Sequence, residues 1–324
     1  MTSSRRDFFK KLTQTLAGAA VGGAAGSGCQ RKSGDQDENP YAYDLSALKK
    51  IDPSLMRYKE LSAISIETGE PHAICVDGND HLYVAADRTV LLFESSGQPI
   101  RQFETGSPVK AIAADTDGTL FLGMIDHVEI WSAEGEQKAV WESLDRQAVI
   151  TSVVISGESV YVADAGNKRV YQFNRMGQFL NNIEPLSPGF VVPSPYFDVA
   201  ADHKGSAWIV NPGKHTILKV LPDGSAEKAW GTSSYRIEGF SGCCNPTHLT
   251  LLPNGDFVTS EKGLPRVKVY DPKGSLKAVV AGPEQFEERV TGLDLAADSK
   301  GHIFVLDPHL RQVRRFQVKK EGAA

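Results

Sequence analysis

From residue 71 onward the chain repeats one pattern of apolar and polar positions. A short strand-like stretch alternates with period two and ends in Asp or another turn residue, a turn that contains Gly, Asn or Asp follows, and a second apolar stretch continues the unit. The copies read PHAICVDGNDHLYVAAD from Pro71, VKAIAADTDGTLFLG from Val109, VITSVVISGESVYVAD from Val149, YFDVAADHKGSAWIVN from Tyr196, THLTLLPNGDFVTSE from Thr247 and TGLDLAADSKGHIFVLD from Thr291. The aromatic residues that lead the second stretches are 38 to 49 residues apart, near the period of a four-stranded propeller blade.

This pattern predicts an all-β fold, a six-bladed β-propeller of four-stranded antiparallel blades over residues 56–318. Blades packed around an axis hide most of the strand edges that a solitary sheet would expose. The sixth unit ends early at Phe316 to Lys319, and the strand-like segment from Tyr58 to Glu67 precedes the first unit. We therefore expect this N-terminal strand to complete the last blade and close the ring. Short helices are expected at Asp44 to Lys50 and Pro283 to Arg289.

The third unit resembles a named repeat. Its residues 161–170 read YVADAGNKRV, which is similar to the NHL repeat, whose hallmark is a strand that ends Y-V-A-D followed by x-x-N-x-R-V. The fifth unit keeps Arg266-Val267 of this pattern but has Gly-Leu-Pro in place of the Asn region. The resemblance implies a propeller, and fold by itself implies no activity.

The N-terminus has the pattern of an export signal. Ser4 to Lys10 reads SRRDFFK, which resembles the twin-arginine consensus S-R-R-x-F-L-K through Arg5 and Arg6, and 17 uncharged residues follow up to Gly28. The resemblance implies export of the folded protein to the periplasm. Cys29 follows Gly-Ser-Gly in a stretch that looks like a lipobox, so it is a candidate for lipidation, although Gly26 replaces the usual Leu; the alternative is ordinary cleavage nearby. Residues 1–29 are thus assigned to the signal peptide, 30–55 to a polar tether and 319–324 to a tail.

Composition and charge narrow the classes of partner. The 324 residues carry a net charge of −5, and the first 29 contain four basic residues against one acidic, so their removal leaves −8. An acidic protein has no basic field of the kind that nucleic-acid binding needs, and we expect no nucleic-acid partner. No stretch reaches the roughly 20 strongly apolar residues that span a bilayer, so membrane contact is expected only through the signal or a lipid anchor.

The first residues of the inner strands are candidates for a metal site. His72 and His248 occupy nearly the same place in units one and five, with Lys110, Asp198 and Asp294 close by. Imidazoles and carboxylates that converge on an axis are suitable ligands for a divalent metal. Six-bladed relatives, among them amidating lyases and lactonases, place a metal in the channel, although none of their motifs matches this chain. The alternative, which we favour, is that these residues are polar channel linings bonded to water or backbone.

Adjacent cysteines give a second candidate. Cys243 and Cys244 lie in the long connection just before His248. They could form an easily reduced disulfide, bind a soft metal through both thiolates, or be two loop thiols of which one packs inward. Cys75 lies within an apolar strand and is expected to be a small buried hydrophobe.

Charged residues also collect in the turns after the second strands. Arg169, Lys262, Arg266 and Arg311 are candidates for a surface that recognises an acidic partner, and ion pairing within and between blades explains them at least as well.

The sequence has no Cys-x-x-Cys-His, no phosphate- or dinucleotide-binding glycine motif and no G-x-S-x-G, so we predict no common cofactor. The favoured function is a monomeric, non-catalytic propeller that serves as a binding or scaffold component of a periplasmic assembly, with a redox complex as the partner class. The alternative is a metal-dependent lyase or hydrolase centred on the channel, with His72 and His248 as ligands and Asp198 or Asp294 as third ligand or base.

Overall fold

The computed structural model describes residues 46–320 apart from 187–188, 203, 222 and 288–289. The predicted signal segment with Arg5 and Arg6, Cys29 and most of the tether lie outside the described residues. Among the residues that are described, no helix has the length and apolar character needed to cross a bilayer.

The regular secondary structure of the described chain is almost entirely β-strand, as the alternating pattern predicts. Its strands are β1 (Tyr58–Glu60), β2 (Ile64–Ser65), β3 (Pro71–Val76), β4 (Leu82–Ala86), β5 (Thr89–Phe93), β6 (Pro99–Glu104), β7 (Ala111–Ala114), β8 (Leu120–Gly123), β9 (Val128–Trp131), β10 (Gln137–Val140), β11 (Ile150–Ser156), β12 (Ser159–Asp164), β13 (Arg169–Asn174), β14 (Phe179–Pro185), β15 (Val199–Ala201), β16 (Ala207–Asn211), β17 (Thr216–Val220), β18 (Ser225–Trp230), β19 (His248–Leu251), β20 (Phe257–Glu261), β21 (Arg266–Tyr270), β22 (Leu276–Ala281), β23 (Leu295–Ala297), β24 (Ile303–Asp307) and β25 (Gln312–Val318). The helical segments are α1 (Ser46–Lys49) and the 3-10 turns Pro53–Leu55, Pro212–Lys214 and Pro283–Gln285. Two of these fall inside the segments predicted to be helical.

From β3 to β22 the strands follow one another in five antiparallel runs of four, and β23–β25 form a sixth run of three. Together with β1 and β2 these runs form five hydrogen-bonded sheets. The sheets number five because β14 and β18 pair in parallel at Glu184–Ser225 and Pro185–Ala226, which joins the third and fourth runs into one eight-stranded sheet. The prediction of an all-β, propeller-like fold is confirmed. The sheets do not divide into six separate blades, because two of the runs share one sheet.

The inner strands of the runs are arranged in a closed circle. Each of them contacts the next, in the order β3, β7, β11, β15, β19, β23 and back to β3. The buried apolar side chains form five clusters, and every cluster combines residues from neighbouring runs. The core therefore lies between the runs, around a central channel that the inner strands enclose.

The N-terminal strands complete the sheet of β23–β25, as predicted. Strand β1 pairs antiparallel with β25 from Tyr58–Val318 to Glu60–Phe316, and β2 pairs with the start of the same strand. The Arg314 guanidinium, which is buried, reinforces this closure with two 2.7 Å hydrogen bonds to the Glu60 carboxylate.

Candidate functional site

Most of the predicted site residues lie on one face of the molecule, which we call the mouth face. It is the face at which the inner strands begin and at which each second strand turns into the third, because the two ends are paired there, as in Pro71–Ala86, Ile150–Asp164 and His248–Ser260. Every turn of this type thus lies beside the channel entrance.

His72 makes polar contacts at this entrance. Its Nε2 lies 3.1 Å from Asp87 Oδ1 and 3.1 Å from Lys110 Nζ. A protonated Nε2 donates a hydrogen bond to Asp87, and an unprotonated Nε2 accepts one from Lys110, so the tautomer decides which of these two partners His72 binds. His72 is half-buried, and its Nε2 is already in contact with these neighbours.

Asp198 and Asp294 connect neighbouring inner strands. Asp198 accepts hydrogen bonds from the backbone N–H groups of Val199 at 2.9 Å and of Leu249, on the next inner strand, at 2.7 Å. Asp294 accepts equivalent bonds from Leu295 at 2.8 Å and from Ile74 at 2.7 Å. Burial raises the pKa of Asp198 to about 6, while burial and the charge of Asp198 raise the pKa of Asp294 to about 8. Both oxygens of each carboxyl group therefore accept a backbone N–H, and in each case one of the two bonds joins neighbouring inner strands.

His248 lies next to these carboxyl groups in the circle of inner strands. Burial lowers the pKa of its imidazole to about 4, so the ring is neutral at physiological pH. The ring packs edge-on against Tyr196 with 5.8 Å between centroids, and its Nδ1 lies 3.5 Å from Ser260 Oγ.

A cavity of about 170 Å³ lies between these groups, and His72, His248 and Asp294 all border it. Pro71, Tyr196, Gly292, Leu306 and Pro308 form the rest of its wall. Asp294 also borders the central channel, which has a volume of about 190 Å³. The two predicted histidines thus share one cavity, although His248 is one register position further along its strand than His72.

These residues do not form a metal-binding arrangement. Within the described ranges, no three His, Cys, Asp or Glu side chains are placed so that together they could hold a metal ion. The metal considered for His72, His248, Asp198 and Asp294, and the one considered for the cysteine pair with His248, stay hypotheses beside the alternative of polar channel linings.

The cysteine pair lies at the edge of the mouth face. Cys243 is exposed, Cys244 is 2% exposed, and both thiols are free with 3.1 Å between their sulfur atoms. Burial raises the pKa of Cys244, but interactions with Cys243, Lys262 and Ser194 outweigh it and the net shift is downward. The hydrogen bond to Cys244 and the charge of that residue raise the pKa of Cys243. The interaction between the two thiols thus shifts their pKa values in opposite directions and favours the thiolate on Cys244.

The four cations predicted to form a partner surface are placed differently from one another. Arg169 is exposed, Lys262 is half-exposed, and Arg311 is exposed with its guanidinium bonded to Glu67 O and Gly69 O. Arg266 is 1% exposed and forms a buried ion pair with Glu261, at 2.6 Å, so its assignment to a partner surface is wrong.

The physical reason is the connection between β18 and β19, which covers strand β21. Lys268, two residues beyond Arg266, is also fully buried and donates to the backbone oxygens of Ile237 and Gly239 in this connection. Glu261 accepts from Ser241 N of the same connection. The charged residues of β21 thus hold the connection between β18 and β19 in place.

One neighbour of the site, Tyr196, was missed in the sequence. Tyr196 forms a wall of the cavity, and the Lys262 ammonium lies 5.0 Å above its ring, so the two residues join the cysteine pair to His248. The available indication was the position of Tyr196, immediately before the inner strand of the fourth unit.

The raised pKa values predict how stability depends on pH. Between its ordinary value of 3.8 and about 8, folded Asp294 holds a proton that the unfolded chain has released, so stability falls as the pH rises. We expect the free energy of unfolding to decrease by about 1–3 kcal/mol from about pH 6 to about pH 8 through this group. Urea unfolding at both pH values should show this slope in the parent protein and a smaller slope in Asp294→Asn. Asp223→Asn, on an exposed turn, is the control and should keep the parent slope; equal slopes in all three would contradict the assignment.

Comparison with known proteins supports the fold. No family model and no curated protein matches the chain. Among solved structures, it is similar to a streptogramin B lyase (10% identity, TM-score 0.59, 83% of this chain and all of that one) and to virginiamycin B lyase from Staphylococcus aureus (10% identity, TM-score 0.58, 81% and all). A protein of unknown function from Bacteroides thetaiotaomicron matches with 15% identity and a TM-score of 0.58 over 82% of this chain and 72% of that one. At these identities the likeness concerns the fold alone: the chain has the propeller-like architecture of the streptogramin lyases.

Proposed function

We propose that the chain is an exported six-bladed, NHL-like propeller that binds a protein partner through its mouth face, as a scaffold component of a periplasmic assembly. The six blades are the antiparallel runs of four strands from β3–β6 to β23–β25 with β1. The closed circle of six inner strands supports this count, since each run contributes one strand to it. In this proposal the pairing of β14 with β18 is a contact between two blades.

The observation that carries the binding function is that the carboxyl groups at the channel mouth are already hydrogen-bonded within the protein. Both oxygens of Asp198 and of Asp294 accept backbone N–H groups, so these residues maintain the architecture. The exposed charge lies around them in the turns of the mouth face, with Arg169, Lys262 and Arg311. Loops at one end of a rigid scaffold are the usual place for recognition.

Export is proposed from the sequence alone. Arg5 and Arg6 would direct the folded protein across the membrane, and Cys29 would carry a lipid that tethers it. The proposal includes no resident cofactor and no oligomerisation.

The proposal can be tested by photo-crosslinking in cells. A photoreactive amino acid at position 169, on the mouth face, is expected to cross-link a defined periplasmic protein, while the same group at Lys138, on exposed strand β10, should not. Changing Arg5 and Arg6 to Lys should retain the protein in the cytoplasm and abolish the adduct. Equal cross-linking from both positions, or an adduct that survives the change in the signal, would contradict the proposal.

The second candidate is a lyase or hydrolase, and the cavity bordered by neutral His248, Asp294 and Tyr196 favours it. A neutral imidazole can accept a proton, and a carboxyl group that is protonated near neutral pH can donate one. The solved neighbours include a virginiamycin B lyase with quinupristin. Consumption of quinupristin by the purified protein, lost in His248→Ala, would replace the binding function by this one.

A further inference from the structure

We propose that Cys243 and Cys244 form a thiol–disulfide exchange site, in which exposed Cys243 attacks a disulfide and buried Cys244 resolves the mixed disulfide. The proposal does not rest on the export or binding function. It rests on how the pair is held, on the different exposure of its two sulfur atoms and on the cation beside them.

The pair is held between two anchored residues. On one side, Ser241 donates its N–H to Glu261 Oε2 at 2.9 Å and accepts at its hydroxyl from Arg266 at 3.0 Å. On the other side, Asn245 is 1% exposed, donates to Ser241 O and Lys262 O, and accepts from Lys262 N at 2.8 Å. Gly242, with a φ of +74°, allows the turn between these anchors. The two sulfur atoms are thus kept 3.1 Å apart in the reduced protein, so little reorganisation precedes bond formation.

The two thiols have unequal access to solvent. A disulfide of a peptide or protein can reach Cys243, which is exposed, but not Cys244, which is 2% exposed. The thiolate is the nucleophile in such an exchange. When the pair has lost one proton, transfer of the remaining proton from Cys243 to Cys244 across the 3.1 Å contact places the negative charge on the accessible sulfur.

The reaction then proceeds in two balanced steps. The Cys243 thiolate attacks one sulfur of the external disulfide, its S–S bond breaks, and the other sulfur leaves as a thiolate that takes a proton from water. Cys244 then loses its proton and attacks Cys243 Sγ, the mixed disulfide breaks, and the second external sulfur leaves. The external disulfide gains two electrons and two protons and becomes two thiols, while the pair is oxidised to a disulfide.

Lys262 is a positioning residue in this scheme. Its ammonium group lowers the pKa of both thiols and so favours negative charge on Cys243 as well as on Cys244. It lies 5.0 Å above the Tyr196 ring, at the wall of the cavity. A positive charge beside a cysteine favours the thiolate. The site therefore faces the same surface that would receive a partner.

The experiment uses the reduced full-length protein and glutathione disulfide as the probe. We expect the parent protein to release two glutathione molecules per chain, with peptide mapping by mass spectrometry locating the new disulfide at Cys243 and Cys244. In Cys244→Ser, a stable glutathione adduct should accumulate on Cys243. In Cys243→Ser, the reaction of glutathione disulfide with the remaining thiol, Cys244, should be slower by about tenfold or more, because this thiol is buried.

Two further variants separate chemistry from structure. Lys262→Met should shift the rise of the rate with pH to higher pH, with an unchanged thermal midpoint, because it removes the charge that favours the thiolate. Cys75→Ser is the matched control and should react like the parent, since burial raises the pKa of Cys75 well above its ordinary range. The proposal is overturned if Cys243→Ser reacts at the parent rate, or if the parent accumulates the adduct on Cys243 without closing the pair.

Discussion

Replacing Glu261 by Gln is expected to lower the free energy of unfolding by about 3–5 kcal/mol, the range for removal of one partner from a buried ion pair. Glu261 is 1% exposed, and its carboxylate lies 2.6 Å from Arg266 Nη2 and 2.7 Å from Lys268 Nζ. Without this carboxylate, two buried cations would remain with no counter-charge. Burial already lowers the pKa of Lys268 to about 8, so its loss of a proton in the variant would relieve only part of the cost.

Urea unfolding followed by tryptophan fluorescence would measure this loss. The control is Glu136→Gln, which removes one partner of the exposed pair with Lys138 and should change stability by at most about 0.5 kcal/mol. The double variant Glu261→Gln with Lys268→Met should recover part of the loss, since it removes one of the unpaired cations. A loss in Glu261→Gln no larger than that of the control would show that the cluster does not support the connection above it.

A chain that begins at Thr68 is expected to lose its soluble folded form, whereas one that begins at Ser46 keeps it. The shorter chain lacks β1 and β2, with the buried side chains of Tyr58, Ile64 and Ile66, whose burial stabilises the fold by about 1.5–3 kcal/mol each. It also leaves buried Arg314 without Glu60. The combined loss is comparable to the whole stability of a typical domain, about 5–15 kcal/mol, and the edge of β25 becomes free to pair with other chains.

Size-exclusion chromatography and near-ultraviolet circular dichroism would compare the two chains. We expect aggregation and a weak near-ultraviolet spectrum for the chain that begins at Thr68, and a monomer with the parent spectrum for the one that begins at Ser46. A monomeric chain from Thr68 with the parent's thermal midpoint would show that the N-terminal strands do not hold the ring.

The architecture could be predicted because it depends on local patterns. Period-two alternation marks strands whatever their partners are, and the missing last strand of the sixth unit predicted the pairing of β1 with β25. The parallel contact of β14 with β18 could not be predicted in this way. It depends on how two outermost strands approach each other in space, and neither strand carries a residue that specifies the other.

The candidate site was harder to predict because it depends on where side chains point and on which of them a loop buries. His72 and His248 share a cavity as expected, but His72 lies at a bulge between Pro71 and Ala73, whereas His248 pairs regularly with Ser260. A charged residue in a strand normally indicates a solvated face, and Arg266 broke this rule because a distant connection folds over it. The acidic partner, Glu261, could be seen in the sequence, but the connection that buries the pair could not.

The closed circle of inner strands has a consequence for how the molecule loses its structure. A linear array of repeats has two terminal units, each held by a single neighbour, and melting can start at either of them. In this chain every unit has two neighbours, and the bonds from Asp198 to Leu249 and from Asp294 to Ile74 tie units across their boundaries. Releasing any unit therefore breaks two interfaces at once. Thermal denaturation of the ring should consequently be a single cooperative transition without fraying from an end.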